Sequence, residues 1–451
     1  MAATSYTQTL AEFAAGVDLG QIPEPVQHEM GRVLLDCVGC AVAGRLTPMG
    51  RIALDLAAEQ HGPLEATAIG GQRVSLLPAI FANVTLTNAQ EFEVQGPEGH
   101  VCAVAGPVAL AVAEALDASG AELLASLVAG LEVAGRVGGA LRGYSRGVGQ
   151  AGGHAHVVLS AAVITGRLLH LTPEQMRHAL GIAGYGATIR TTERYQGSQK
   201  ALMIKNSLGV MAQAGVQAAL LAHRGFTGDL DVLEGDLGFW RFTGSSGCDW
   251  DYLTRGLGTT WAAADVWYKP TPSALAVVST VQLLVRTLSD NGLQLSDVER
   301  VEIRTARGSE RVWPAGALNP TNFWHYQRYV YAAAVADARP LRSWTDPTTP
   351  ERPDVKAIME RIEFRPFREG EVNRAEGAYT SGWSPARVTI HAGGRTFEGA
   401  QDYRVRLSDE QVIAKFRENS DGLLDPATAQ RIEQACFDLL AVSSARLLLQ
   451  S

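Results

Sequence analysis

The sequence predicts a mainly α-helical protein, with a large all-helical domain and a smaller α+β lid domain. Three observations carry this prediction. Apolar residues recur at i, i+3/i+4 spacing through the first 265 positions, two-residue alternation appears after Lys269, and capping boxes open helices in both halves. The expected division is a helical domain over 1–265, completed by C-terminal helices within 401–451, and a lid over 266–400.

Taken in order, Pro23 and Pro25 precede an apolar stripe of Val26, Met30, Val33, Leu34, Cys37, Val38 and Ala41, the spacing of a helix. Val108–Leu116 and Leu208–Ala222 are apolar nearly all round, which predicts helices buried on most faces. Thr172-Pro173-Glu174-Gln175 joins a capping box to proline at the first helical position and opens a helix through Met176, Leu180 and Ala183. A helix over Ala274–Leu288 leads to Val298–Thr305, where Val301, Ile303 and Thr305 alternate with charged residues as in a half-exposed strand. Arg387–His391 alternates again, Gly393-Gly394 supplies a tight turn, and Arg395–Glu398 returns as its hairpin partner. Arg365–Gly382 is expected to be irregular, and Ser408-Asp409-Glu410-Gln411 caps a last helix through Val412 and Phe416.

The 451 residues carry 39 Lys+Arg against 47 Asp+Glu, a net charge of −8 with no basic block, which argues against nucleic acid or an anionic membrane as partner. Five scattered cysteines make no disulfide framework and no iron–sulfur ligand cluster. The first residues lack a basic region followed by an apolar run, and no long stretch escapes a charge or a Gly/Pro break, so a soluble cytoplasmic protein is expected. No zinc-spaced ligand set or nucleotide loop stands out, so neither metal nor organic cofactor is expected. The Gly147–Gly153 run lacks the Lys-Ser/Thr of a phosphate loop, Cys37-Val38-Gly39-Cys40 sits in an apolar stripe as core thiols do, and His154 and His156 suit a loop or helix start better than a metal.

Gln90-Glu91-Phe92-Glu93-Val94-Gln95-Gly96-Pro97-Glu98-Gly99-His100 differs from these. It joins two apolar helical stretches and sets two carboxylates and an imidazole beside a helix start, whose positive end favours a neutral imidazole and attracts anionic groups. The competing reading is a solvated acidic loop. Lys205 stands alone among apolar and small residues from Ala201 to Ala222, so it either snorkels outward or faces a pocket. Lys269, in Trp267-Tyr268-Lys269-Pro270-Thr271-Pro272, falls at the expected domain junction, where clefts form.

Several motifs, in order, resemble the 2-methylcitrate dehydratase (MmgE/PrpD) family, which also holds cis-aconitate decarboxylases and iminodisuccinate epimerases. Leu34-Leu35-Asp36 through Gly44, Ala179–Gly184, Arg224–Gly228, Lys269-Pro270-Thr271-Pro272, and Leu407–Glu410 with Phe416–Asn419 carry the likeness across nearly the whole chain. The resemblance implies a dimer with its active site between the helical domain and the lid. It sets the family's acidic motif on Glu91, Glu93, Val94 and Gln95, its histidine on His100, its helical lysine on Lys205 or Lys200, its second lysine on Lys269, and a tyrosine on Tyr329. This chain departs from the family pattern by glutamates for aspartates, Gln95 for threonine, and Ser273–Val278 where an arginine and a histidine are usual. Arg190 and Arg194 are candidate replacement cations.

The function so implied is a cofactor-independent lyase, of dehydratase or decarboxylase type, acting next to a carboxylate of a small polycarboxylate-like substrate through a carbanion-like intermediate. His100 would serve as acid/base with Glu91 or Glu93 as orienter or partner base, Tyr329 as a donor, and Lys205 and Lys269 as carboxylate ligands. Gln95, Arg190, Arg194 and Lys200 would complete the substrate pocket. An epimerase using the same proton-transfer groups, and an inactive binding protein, are the alternatives.

Overall fold

The computed structural model describes residues 5–144, 154–187, 203–305, 326–337, 342–372 and 383–449. Helices α1 (Tyr6–Gly16), α2 (Glu24–Gly44), α3 (Pro48–Glu59), α4 (Leu76–Asn88), α5 (Val101–Leu116), α6 (Gly120–Ala140), α7 (Val157–Leu168), α8 (Pro173–Tyr185) and α9 (Met203–His223) build the first body. Their starts follow from local chemistry. The side chains of Ser5, Thr47, Ser119 and Thr172 each accept a backbone N–H three residues on, satisfying a donor that the helix leaves open. Helix α6 has the length and composition of a membrane span, but it is mostly buried in the bundle, where Arg136 pairs with Glu132 at 2.5 Å.

Helices α2 and α5 pack closely, with the Cys37 side chain of α2 seated on Gly106 of α5. A Cβ on Gly106 would lie 2.8 Å from Cys37 Sγ, so only glycine admits this approach. Two short ribbons went unforeseen: β1 (Ala66–Thr67) with β2 (Arg73–Val74), and β3 (Leu141–Tyr144) with β4 (Ser245–Cys248). Helices α10 (Phe239–Phe242) and α11 (Trp250–Thr254) flank the second.

Helix α12 (Leu275–Asp290) precedes a four-stranded sheet of β5 (Val298–Thr305), β6 (Ile362–Pro366), β7 (Trp383–Ala392) and β8 (Arg395–Tyr403) in the order β6-β5-β7-β8. Strands β5 and β6 are parallel, joined by a crossover through α13 (Gln327–Ala336) and α14 (Pro353–Arg361); β5 to β7 and β7 to β8 are antiparallel. Register sets Val301 opposite Ile362 and Ile390, and Ile303 opposite Phe364 and Val388, so one face is continuously apolar. The β7–β8 hairpin turns at Gly393 and Gly394 (φ +56° and +69°), as the sequence predicts. Strand β6, which sequence reasoning did not foresee, ends two residues inside the segment expected to be irregular; its Ile-Glu-Phe-Arg alternation is only four residues long, and only Ile362 of its five residues is buried.

The chain ends in α15 (Asp409–Ser420), α16 (Pro426–Phe437) and α17 (Arg446–Leu449). Two apolar cores result. One gathers residues from Leu10 to Tyr268 together with Leu407, Val412, Phe416 and Ile432; the other gathers Val277 to Ile390. The architecture is the mainly α fold with a smaller α+β part that the sequence predicts.

Candidate active site

Helix α4 stops at Asn88 and α5 starts at Val101, and residues 89–100 fold between them almost wholly out of solvent. Glu91, Glu93, Gln95 and His100 are 4%, 0%, 5% and 6% exposed, which excludes a solvated acidic loop. A segment this polar stays buried only if its groups are partnered, and its backbone is tied down by charged side chains from distant elements. Lys269 Nζ donates to the Glu91 carbonyl at 2.9 Å, and Lys415 Nζ of α15 donates to the Phe92 carbonyl at 2.5 Å. Asp36 Oδ2 of α2 accepts the Val94 N–H at 2.7 Å, and Gln95 exchanges hydrogen bonds with Trp267 at 2.9 and 2.6 Å. Asp36 and Lys415 also pair with each other at 2.6 Å. Burial by itself would lower the pKa of Lys415, but the charge and hydrogen bond of Asp36, together with Cys40 and Glu93, offset this and hold it above its ordinary value.

These ties hold Glu91 at φ +55°, in the left-handed region, where a non-glycine residue costs of order 1–3 kcal/mol. They also converge the side chains. His100 Nδ1 lies 2.5 Å from Glu93 Oε1, which fixes a proton between them; Nε2 lies 3.6 Å from Glu91 Oε1. Asn88 Nδ2 donates to Glu93 Oε1 at 2.7 Å, and the Gln95 amide nitrogen lies 3.1 and 3.3 Å from the two ring nitrogens. His100 occupies the N-cap position of α5 but its side chain makes no cap bond. The ring serves the loop, not the helix.

Lys269 Nζ, wholly buried, also lies 3.6 Å from Glu91 Oε1. Burial drives its pKa down from 10.5 to about 8, against the pull of Glu93. For Glu93 burial acts upward, but Lys269 and His100 together hold its carboxyl below the ordinary range. Its Oε2 is buried with no hydrogen-bond partner among the described residues. Glu91, Glu93 and His100 present ligand atoms within 4.8 Å of one another, close enough to share a cation, and the Lys269 ammonium already brings positive charge to Glu91. The thiols of Cys37, Cys40 and Cys102 are pushed well up by burial and are unreactive packing groups, in keeping with their place in an apolar stripe.

The structure thus brings together Glu91, Glu93, Gln95, His100 and Lys269. Tyr329 is placed differently. It is buried in the second core, and its hydroxyl donates to the Trp344 carbonyl at 2.6 Å. The next residue, Thr345, accepts from Gln90 Nε2 at 3.0 Å, so Tyr329 is linked to the acidic loop through that segment. Lys205 lies on α9 with its side chain outside the described residues, and Arg190, Arg194, Lys200 and Gly147–Gly153 also lie outside them.

Sequence reasoning missed Asn88, Asp36, Lys415 and His154 as members of the site. His154 packs edge-on against His100, ring centroids 4.9 Å apart. His156 instead bonds the Glu98 carbonyl at 3.0 Å, with burial lowering its pKa to about 4. A buried-face signal existed for Asp36, which interrupts the apolar stripe of α2, and for Lys415, which follows Val412 by one helical turn.

The family model described as the MmgE/PrpD N-terminal domain matches residues 8–250, and that of the MmgE/PrpD C-terminal domain matches 272–439. The chain belongs to the MmgE/PrpD family. Among relatives, a cis-aconitate decarboxylase of Aspergillus terreus is 24% identical over 476 residues, 97% of this chain and 94% of the relative. The Homo sapiens cis-aconitate decarboxylase is 25% identical over 460 residues, 95% and 90% of the two chains. A cis-aconitate decarboxylase-like protein, oryM, of Aspergillus oryzae is 23% identical over 469 residues, 96% and 94%. The named decarboxylases are lyases, and their alignments cover 95–97% of this chain.

Proposed function

We propose that the protein is a cofactor-independent lyase that breaks a bond next to a carboxylate of a small polycarboxylate. The observation that carries this reading is the dry His100–Glu93 pair at 2.5 Å with a buried lysine beside it. Glu93 holds a proton at Nδ1, and Nε2, with the Gln95 amide nitrogen 3.3 Å away, is the nitrogen that exchanges a proton with substrate in this reading. Loss of CO2, or of a proton, next to a carboxylate builds negative charge, and the Lys269 ammonium is placed to stabilise it where little water competes. In decarboxylation the C–C bond electrons stay on the substrate carbon, which takes a proton from His100. In dehydration a base removes the proton and an acid protonates the departing hydroxyl.

The relatives' names make cis-aconitate the first substrate to test. Glutamates in place of aspartates and Gln95 in place of threonine support a substrate of different size or charge. Within this reading, residues 1–265 with 401–451 form the body and 266–400 the lid; the two separate apolar cores support such a division, with Val266 and Tyr268 packed in the first core. Lys205, Lys200, Arg190 and Arg194 are assigned to carboxylate binding from their places in the sequence. The protein acts as a homodimer, for which light scattering should give about twice the 48.1 kDa of one chain.

The deciding experiment incubates cis-aconitate and a panel of di- and tricarboxylates with the protein in deuterated water, following CO2, water loss and deuterium uptake by NMR. Net CO2 or water loss supports the lyase. Deuterium uptake with inversion and no loss would replace it with an epimerase using the same groups. Silence across the panel would leave a binding protein.

A further inference from the structure

The chain passes between the two apolar cores twice. Tyr268 is the last residue of the first core before Val277 of the second, and Leu407 is where the chain re-enters the first core after β8. The two passages lie against each other. Arg404 and Arg406, just after β8, stand over the Trp267 ring with guanidinium carbons 5.4 and 4.6 Å from its centroid, and Arg406 lies 3.6 Å from Asp265. Helix α2 holds both passages to the first body. Glu29 accepts from the Tyr268 hydroxyl at 2.6 Å, and Arg32 stacks on the Tyr268 ring at 4.9 Å while donating to the Leu407 carbonyl at 2.6 Å.

The outgoing passage is also a wall of the acidic loop. The Gln95 N–H donates to the Trp267 carbonyl at 2.9 Å, and the Trp267 N–H donates to the Gln95 carbonyl at 2.6 Å. Gly96 (φ +119°) lies so close that a Cβ there would be 2.4 Å from the Asp265 carbonyl oxygen. Two residues beyond Trp267, Lys269 reaches Glu91. The backbone of Trp267 is therefore bound to the loop, yet its ring belongs to neither apolar core. Arg404 Nε is buried without a hydrogen-bond partner among the described residues, which singles out the stack on the indole as what holds this guanidinium.

We propose that Trp267 is a positioning residue, whose ring, clasped by Arg404 and Arg406, fixes residues 265–269 so that Gln95 and Lys269 are set for the reaction. An aromatic face attracts a cation through its quadrupole, and both cations here come from the chain returning from the second core. The stack thus ties the outgoing and returning passages together at the point where the first touches the acidic loop. Loosening it lets the Trp267 backbone part from Gln95 and carries Lys269 away from Glu91, and small displacements of such groups slow chemistry severely. The clasp on the loop stands independently of the proposed lyase activity; its effect on turnover rests on that reading.

Hydrogen exchange followed by mass spectrometry tests the clasp without any substrate, in the full-length wild type, Trp267→Leu, Trp267→Phe and the double variant Arg404→Gln/Arg406→Gln. Exchange over residues 90–96 should quicken about tenfold in Trp267→Leu and in the double variant, with 101–116 unchanged, because only a local opening is eased. Trp267→Phe keeps an aromatic face and should stay near wild type. On the substrate that the NMR panel identifies, kcat of the two impaired variants should fall about tenfold with KM within about twofold. The alkaline limb of kcat/KM should also move up from about 8, since burial is the largest influence on Lys269 and water now reaches it; its charged neighbours Glu91, Glu93, Asp36 and Lys415 stay in place.

Wild-type exchange over 90–96 in the double variant would overturn the proposal. So would a Trp267→Phe protein as impaired as Trp267→Leu, since volume and not the aromatic face would then matter. A rise shared by 90–96 and 101–116 together with a lowered Tm would make the stack a staple of the fold and nothing more. Faster exchange over 90–96 with kcat and the alkaline limb unchanged would remove the positioning role. If Trp267→Leu fails to fold, the double variant, whose two side chains are both at least partly exposed, decides the same question. If no carboxylate of the panel is turned over, the lyase reading fails while the exchange result still decides for or against the clasp.

Discussion

At His100 the decisive geometry is the difference between the two ring nitrogens. Nδ1 is taken by Glu93 at 2.5 Å, while Nε2 has the Gln95 amide nitrogen at 3.3 Å and Glu91 at 3.6 Å beside it. Replacement by asparagine keeps polarity and size but removes acid/base capacity. Turnover of His100→Asn should fall about 10²-fold or more with Tm nearly unchanged, measured on the substrate the NMR panel identifies. Near-normal turnover would move the acid/base role to another group. Lys269 makes a second prediction at this scale. Its folded pKa of about 8 lies below the ordinary 10.5, so between those values the folded state binds fewer protons than the unfolded one. Stability from this group therefore rises with pH across that window, while the ammonium proposed to bind carboxylate is lost. The expected kcat/KM declines as pH passes about 8, and Lys269→Met abolishes that alkaline limb together with most of the activity. A limb that survives the substitution would belong to another group.

At the scale of elements, the acidic loop is held from outside. Lys415→Met would leave the Asp36 carboxylate buried without its cation, which costs about 3–5 kcal/mol; adding Asp36→Asn should recover part of the loss in chemical denaturation. A double variant no more stable than Lys415→Met would show that the two groups act separately. What the sequence reveals follows the same division. Thr172 and Ser408 form the capping boxes expected of them, because a cap is decided within four residues. Glu91, Glu93 and His100 are legible as a cluster for the same reason. The Asp36–Lys415 pair spans 379 positions, so nothing local announces it, and β6 escapes notice because its Ile-Glu-Phe-Arg alternation is only four residues long before Pro366 ends it.

For the whole molecule, the change of periodicity after Lys269 was enough to read a helical part and an α+β part, because burial on one face imposes period 3.6 on helices and period 2 on strands. How the two cores meet was not legible, since it rests on side chains far apart in sequence. One such contact adjoins the site: Gln90, next to Glu91, donates to Thr345, next to Trp344 of the second core. If the second core closes over the acidic loop, this bond favours the closed form. A neutral hydrogen bond is worth about 1 kcal/mol, so Thr345→Val, which keeps shape and removes the acceptor, should raise KM about fivefold. Because Thr345 touches neither His100 nor Glu93 in the described contacts, kcat should change little, and Tm should move by no more than a few degrees. Steady-state kinetics on the wild type and Thr345→Val measure the split. A lowered Tm with KM unchanged would make the contact a staple of the fold, and a fall in kcat with KM unchanged would place it in holding Glu91 for the chemistry itself.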